Sequence, residues 1–445
     1  MYRLGNLKTQ YIIYKMSKYI SAKYGEIKFV NGLDADITGK NFNIINAYIN
    51  SNWTDTIAGG TGASISKYRA LKSALGESLE RNVINSNLLS KCSPLCKISF
   101  NELMKKNIDA LSPRECALYA DYQYDIKDFK FKKFNEDLKI DWISSKNLNK
   151  NKECYIPINY LLEHFGENKI CHSTSSGLAC GDTKEDSILK GLYEVIERDA
   201  FCFSWWTRTS FPLIDMNSIK YLKVEGVSIE KYLGEHFKHI KLIDMTTDIG
   251  VPVISAIYHC DDCTEKPAFL ISAACNLNPI KAIEKALIEI LHCYYGSNSY
   301  LEDNSIQNVE DYDKEILTFD DHVKYYISHK NKEKVEFLYK HNNTITFNEL
   351  INKYNYEIDN ELDYITNRLN QLNYNIYTID ITPDIYLPNN LYVFKTIVPG
   401  LIQLDGAHKY RFLGSERLYN LKKKLGFVDY DLDVKELNNN PHPFP

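Results

Sequence analysis

Two stretches of the 445-residue chain carry acids at a spacing suited to metal chemistry: Ser73-x3-Glu77-x2-Glu80-Arg81 and Asp186-x3-Lys190-x3-Glu194-x2-Glu197-Arg198. At about 100° per residue, the second set falls within an arc of roughly 120° on one helix face. Ile188, Leu189, Leu192, Val195 and Ile196 take the opposite side, so the helix packs on one face and is polar on the other. Ser73, Glu77, Glu80 and Arg81 make a matching stripe, backed by Leu71, Leu75 and Leu79. Read alone, either stripe is a solvated face with i,i+4 pairs such as Lys190 with Glu194. The repeated Glu-x-x-Glu-Arg argues for more. Were the stripes to face each other across a cleft, like charges ~4 Å apart would cost about 4 kcal/mol per pair at an effective dielectric near 20. Such a cluster requires cations. Carboxylates beside Arg, Lys and Ser suit Mg²⁺, which takes hard oxygen ligands and shares its shell with phosphates. The basic groups are then placed to meet phosphate oxygens. A nucleotide site is the expectation, without a P-loop: Gly39-Lys40 lacks both the glycine spacing and a following Ser or Thr.

The elements that must position these residues repeat. Residues 59–81, 178–198 and 272–292 each run from small residues through a polar turn into a helical pattern. Aligned, Glu77, Glu194 and Glu289 correspond, as do Glu80, Glu197 and His292, and Ser73, Lys190 and Lys285. The third copy has lost most of the acidic set. The expected fold class is α/β, with repeated sheet-and-helix units around a nucleotide-binding cleft. Gly59 to Gly62, "GGTG", reads as a tight turn. Strands are expected at 239–246, 251–259, 266–274, 374–382 and 391–400 from their β-branched and aromatic content. Residues from about 301 to 372, with His322 among them, read as a peripheral helical excursion. The end, 436–445, reads as an extended, polyproline-like tail, because proline lacks the amide donor and fixes φ.

A net charge of −5 offers no polycationic face and argues against nucleic acid as a partner. The N-terminus lacks a signal peptide's apolar core, and no apolar run approaches the roughly 20 residues that cross a bilayer. Eleven scattered cysteines read as reduced thiols in a cytoplasmic protein. His259-Cys260-x2-Cys263 has zinc-like spacing but no second pair, and a structural zinc takes four ligands, so a hairpin loop is expected there. His408 stands close to Arg411 and is a candidate on that ground.

On these blocks, together with "GLACGDTKEDSILKGLYEVIERDAF", "IDMTTDIGVPVISA" and "VPGL…YRFLGSERL", the chain resembles the YcaO family of ATP-dependent enzymes that activate peptide amides. The resemblance runs from about Gly59 to the end, leaving 1–58 as an N-terminal region and 59–445 as the YcaO domain. It implies that Glu77, Glu80, Glu194 and Glu197 hold Mg²⁺ on the phosphates of ATP. It implies nucleotide contacts from Ser73, Arg81, Asp186, Lys190, Arg198 and Arg411. Asp182 replaces the family's usual asparagine, and its charge favours a metal or ribose contact. Lys190 stands where relatives often carry glutamine.

The terminal Pro441-His-Pro443-Phe-Pro445 resembles the Pro-x-Pro-x-Pro end of azoline-forming members, in which the terminus assists cyclisation. The Pro445 carboxylate is thereby a candidate base. The nearest likeness is to stand-alone streptolysin-type cyclodehydratases. The expected reaction converts Cys, Ser or Thr of a ribosomally made precursor peptide to azoline. The expected partners are a separate leader-binding, adenylating-enzyme-like protein and a flavin-dependent dehydrogenase, with homodimer formation left open. Thioamide or amidine formation, or a non-catalytic nucleotide-binding scaffold, are the rival readings.

Overall fold

Small side chains, a polar turn and an amphipathic run make a strand that hands over to a helix, and the computed structural model contains that pair three times. It describes residues 2–37, 40–49, 57–85, 94–162, 166–301, 308–354 and 357–445; Gly39, weighed above as part of a P-loop, lies outside them.

Helix α1 (Tyr2–Ser17) precedes an antiparallel sheet of β1 (Ile27–Ile37), β2 (Lys40–Ile49) and β3 (Ile57–Ser64), which leads into α2 (Lys67–Asn85). Ile12 and Met16 of α1 share a core with Leu75 and Leu79 of α2. "GGTG" is strand rather than tight turn, and its glycines bring α2 onto β3. A Cβ at Gly62 would sit 2.1 Å from the Ala70 carbonyl oxygen, and one at Gly60 would sit 2.5 Å from the Ser78 nitrogen. Gly62→Ala is therefore expected to destabilise the protein by about 2–3 kcal/mol through forced separation of strand and helix, read as a lowered denaturant midpoint at unchanged m-value.

The second sheet contains β4 (Leu95–Ile98), β5 (Ile140–Asn147), β6 (Lys152–Pro157) and β7 (Leu178–Gly181), and β7 feeds α3 (Lys184–Trp206). Thr183 caps α3, its hydroxyl accepting from the Asp186 N–H at 3.0 Å. The third sheet holds β8 (Leu213–Ile214), β9 (Ile240–Asp244), β10 (Val253–His259) and β11 (Phe269–Cys275), and β11 feeds α4 (Pro279–Gly296). Helix α5 (Phe319–Ile327) follows, then β12 (Thr344–Ile345), which closes the third sheet in the order β11-β10-β9-β8-β12. Finally β13 (Tyr377–Asp380) and β14 (Tyr392–Ile397) complete the second sheet as β4-β5-β13-β14-β7, with β6 on β5. All five expected strands are present, four shortened within their expected bounds and one running to Cys275, a residue past its expected end.

The 301–372 region is not peripheral: Tyr325, Tyr326, Leu338, Ile365 and Leu369 belong to the same core as the apolar side of α3. In that core Asp199 is fully buried and held by Arg417, with Nε to Oδ1 and Nη2 to Oδ2 both at 2.8 Å. The pair ties α3 to the C-terminal segment and accounts for one acid that the polar stripe does not need. Among the described residues, no helix is long and apolar enough to cross a membrane.

Candidate active site

Each of the four acids has one oxygen fixed by a backbone N–H at a strand edge. Glu77 accepts from Thr61 at 2.8 Å and Glu80 from Cys180 at 3.1 Å. Glu194 accepts from Gly177 at 3.0 Å and Glu197 from Cys275 at 3.2 Å. The repeated handover from strand to helix thus places every carboxylate against a neighbouring strand. Three of the acids also meet arginine: Glu77 lies 2.6 Å from Arg81, while Glu194 and Glu197 lie 3.5 and 3.2 Å from Arg198. The Glu77 and Glu194 side chains keep 29% and 27% exposure, so the row is surrounded by protein yet open at its tips.

The acids feel one another. Burial raises the affinity of Glu80 for a proton well above the usual, and the charges of Glu194 and Glu77 add to the effect. Glu197 is pushed up to about 8 by burial, with Arg198 opposing and Glu289 reinforcing. Burial also raises Glu77 and Glu289, each helped by the field of Glu194. Two helices from different repeats therefore turn their acids toward a shared space, and α4 adds a fifth carboxylate, Glu289. The repeat pairs Glu289 with Glu77 and Glu194, yet the third copy reads as depleted because the position matching Glu80 and Glu197 is His292.

What the row lacks is positive charge. Arg81 and Arg198, with Lys285 acting on Glu197 and Glu289 and Lys395 in the field of Glu194 and Glu80, answer five acids. No three of the row's carboxylates lie within 4.8 Å of one another among the described residues. Such a set does not enclose an ion alone. It suits one whose shell is completed by water and phosphate oxygens, as Mg²⁺ prefers. Arg198 Nε and Nη1 are buried without a hydrogen-bond partner, although Glu197 lies 3.2 Å from Nη1, the state expected of donors reserved for an anion.

At the start of α3, Lys190 Nζ bonds Asp186 at 2.7 Å and the Cys180 carbonyl at 3.0 Å. Asp182 lies 3.6 Å from Lys8. Burial alone would raise Asp182, but its bond to Asp186 and the charges of Lys8 and Lys190 hold it below the usual value. Lys72, on α2, is lowered by burial and by Lys190. Asp182 and Lys8 line an open cavity of about 540 Å³, with Tyr11, Ile12, Thr183 and Tyr392 among its other walls. Ser73 is exposed on the polar side of α2. Neither Lys8 nor Lys72 was found from the sequence, because neither belongs to a repeated pattern.

Residues 60–402 match the family described as YcaO cyclodehydratase, ATP- and Mg²⁺-binding. The chain belongs to the YcaO family. A heterocyclase in complex with substrate and cofactor is similar over 98% of this chain and 57% of its own, at TM-score 0.74 and 18% identity, so the chain spans little over half of that protein. YcaO from Methanopyrus kandleri, bound with AMPPCP and Mg²⁺, matches at TM-score 0.59 and 14% identity, covering 89% of this chain and 91% of its own. The E. coli microcin synthetase McbBCD complex with pro-MccB17 bound contains a chain matching at TM-score 0.57 and 14% identity, over 94% of this chain and 96% of its own. ATP and Mg²⁺ are the cofactors of the family.

In this YcaO protein the C-terminal tail is bound along its length. Trp205 Nε1 donates to the Asn440 carbonyl at 3.1 Å, Tyr326 to that of Pro441 at 2.6 Å and His322 Nδ1 to that of His442 at 2.9 Å. His442 Nε2 donates to the Asp405 carbonyl at 2.8 Å. Phe444 packs on Phe201 with ring centroids 4.5 Å apart and covers the Arg198 guanidinium at 4.3 Å. Pro441 and Pro443 are buried and Pro445 is exposed. The tail therefore reaches the arginine of the acidic row. Arg411, expected to contact nucleotide, bonds Asn439 at 2.7 Å and lies over Trp206, so its partners here are tail and core. His408 reaches the Asn439 carbonyl at 3.0 Å.

His322, Asp405 and His442 are close enough to invite a metal. The two imidazoles are stacked, however, 3.8 Å apart at 7°. Their lone pairs lie in separate parallel planes, and no point satisfies both. The His322 ring and the Asp405 backbone carbonyl hold His442 of the tail. His259-Cys260-x2-Cys263 forms the β10–β11 hairpin, with Cys263 exposed, as expected for a loop.

Proposed function

We propose that this YcaO protein is an ATP- and Mg²⁺-dependent cyclodehydratase that converts Cys, Ser or Thr of a ribosomally made precursor peptide to thiazoline or oxazoline. The observation carrying the reading is the tail seated on Arg198, so that the Pro-x-Pro-x-Pro end and the acidic row share one side chain. Glu77, Glu80, Glu194 and Glu197 would hold Mg²⁺, which neutralises charge on the transferring phosphoryl group. Arg198, Arg81 and Lys190 meet phosphate oxygens, with Ser73 and Asp186 beside them. The cavity beside Asp182 has the size for a nucleoside, and the Asp182 carboxylate suits a ribose hydroxyl. Arg411 supports the site through the tail.

The attacking nucleophile belongs to the peptide, so the chain needs no serine or cysteine of its own. Pro441 and Pro443 fix the approach of the tail to Arg198. The peptide would be delivered by a separate leader-binding protein, and a flavin-dependent dehydrogenase would oxidise azoline to azole. Incubation with MgATP, a leader-binding partner and a Cys/Ser/Thr-rich precursor should remove one water from the peptide per ring formed, read by mass spectrometry. Exchange of oxygen for sulfur without dehydration would instead identify a thioamide-forming enzyme.

A further inference from the structure

A second, much smaller cavity, of about 30 Å³, is lined by Tyr160, Thr174, Ser176, Arg198, Lys395 and Thr396, among others. That is room for a water or a carbonyl oxygen, not for a ring. Beside the apolar Val195, Ile397, Val398 and Ile402, its wall carries several donors. Arg198 Nε and Nη1 and Thr396 Oγ1 are buried and make no hydrogen bond. Lys395 is 4% exposed, and its ammonium gives one donor to the Thr174 carbonyl at 2.5 Å. Among the described residues it forms no ion pair with a carboxylate. Burial lowers the Lys395 amine to about 8, against the pull of Glu194 and Glu80. Its place on β14, a central strand of the second sheet, makes it rigid.

We propose that this cavity receives the amide oxygen of the substrate and that Lys395 stabilises the negative charge this oxygen acquires before it is phosphorylated. The proposal rests on the amide-activating reading above. It gives the unpaired Arg198 donors an acceptor beside Lys395, in a site too small to hydrate an oxyanion. Arg198 lines the cavity and also borders the acidic row, so an oxygen placed here lies beside the arginine that would hold the phosphoryl group.

As the peptide thiol loses its proton to a base, sulfur bonds the carbonyl carbon and the π electrons move onto oxygen. That oxygen bonds the γ-phosphorus of ATP while the bond to the β,γ-bridging oxygen breaks, releasing ADP. The C–O bond then breaks to release phosphate, the amide nitrogen gives up its proton, and C=N forms. Lys395 remains protonated throughout.

In the absence of peptide, a water occupying the same cavity is the phosphoryl acceptor, so hydrolysis of MgATP alone is the probe. Lys395→Met, close in volume and uncharged, is expected to fold and to lower kcat for ATP hydrolysis by about 100-fold. Its Kd for MgATP should stay within about threefold of wild type, while Lys395→Arg should keep kcat within about tenfold. Unchanged hydrolysis by Lys395→Met, or an equal loss of nucleotide affinity, overturns the assignment and leaves the amide-activating reading standing. Wild-type protein that binds MgATP without turning it over overturns both.

Discussion

Glu80→Gln and Glu197→Gln each lower MgATP turnover by about 10³-fold or more, while the metal-free protein keeps its fold and gains stability at alkaline pH. The two halves of this expectation come from one feature. Each acid is pressed by burial and by its neighbours, Glu194 and Glu77 on Glu80 and Glu289 on Glu197. For Glu197 the sign is definite: its folded value of about 8 lies above the reference 4.5, so the folded state retains a proton that the unfolded chain gives up. The stability it contributes is complete below pH 4.5 and is lost as pH rises through about 8. Glutamine keeps the volume and an oxygen for the Cys180 or Cys275 N–H, and it removes the charge. In metal-free protein the decline in melting temperature toward pH 8 should flatten in either variant. Mg²⁺ with a nucleotide should raise the wild-type melting temperature more at pH 8 than at pH 6 and leave the glutamine variants nearly unmoved. A variant that still turns over MgATP normally would take these acids out of the metal site.

Removing Pro443, Phe444 and Pro445 should reduce ring formation by about 10²-fold or more and leave nucleotide affinity within a few-fold. The deletion takes away the Phe444 ring, which packs on Phe201 and covers Arg198. Phe444→Ala should cost about 3–5 kcal/mol as a buried truncation. If the tail only stabilises, ring formation and ATP hydrolysis should fall together with melting temperature, and lowering the assay temperature should restore both. If it acts in cyclisation, hydrolysis survives and ring formation does not. Water loss from the peptide and ADP release, measured in the same reaction, separate the two outcomes.

The acidic stripes were legible because a helix writes its faces into local sequence. Glu77, Glu80, Glu194 and Glu197 sit at i,i+3 spacing on an amphipathic pattern, and their repetition in Gly59–Arg81 and Leu178–Arg198 implied a common space. The five strands were legible for the same reason. Lys395 was not: it lies within "LYVFKTIVPG", where a largely apolar run hides which side each residue takes, and its partner Thr174 is 221 positions away. The roles of His322 and His408 were hidden for a similar reason, since what they hold, His442 and Asn439, is joined to them only by the fold. "GGTG" was misjudged because glycine marks close backbone approach as readily as a turn, and only α2 lying on β3 decides between them.

The ties from Glu77, Glu80, Glu194 and Glu197 to Thr61, Cys180, Gly177 and Cys275 draw on backbone amides at the edges of three sheets. Ion affinity is consequently mortgaged to the quietness of three separate β-edges. A disturbance far from the cleft that lets one edge fray swings a ligand away, and chemistry fails while most of the molecule is still intact.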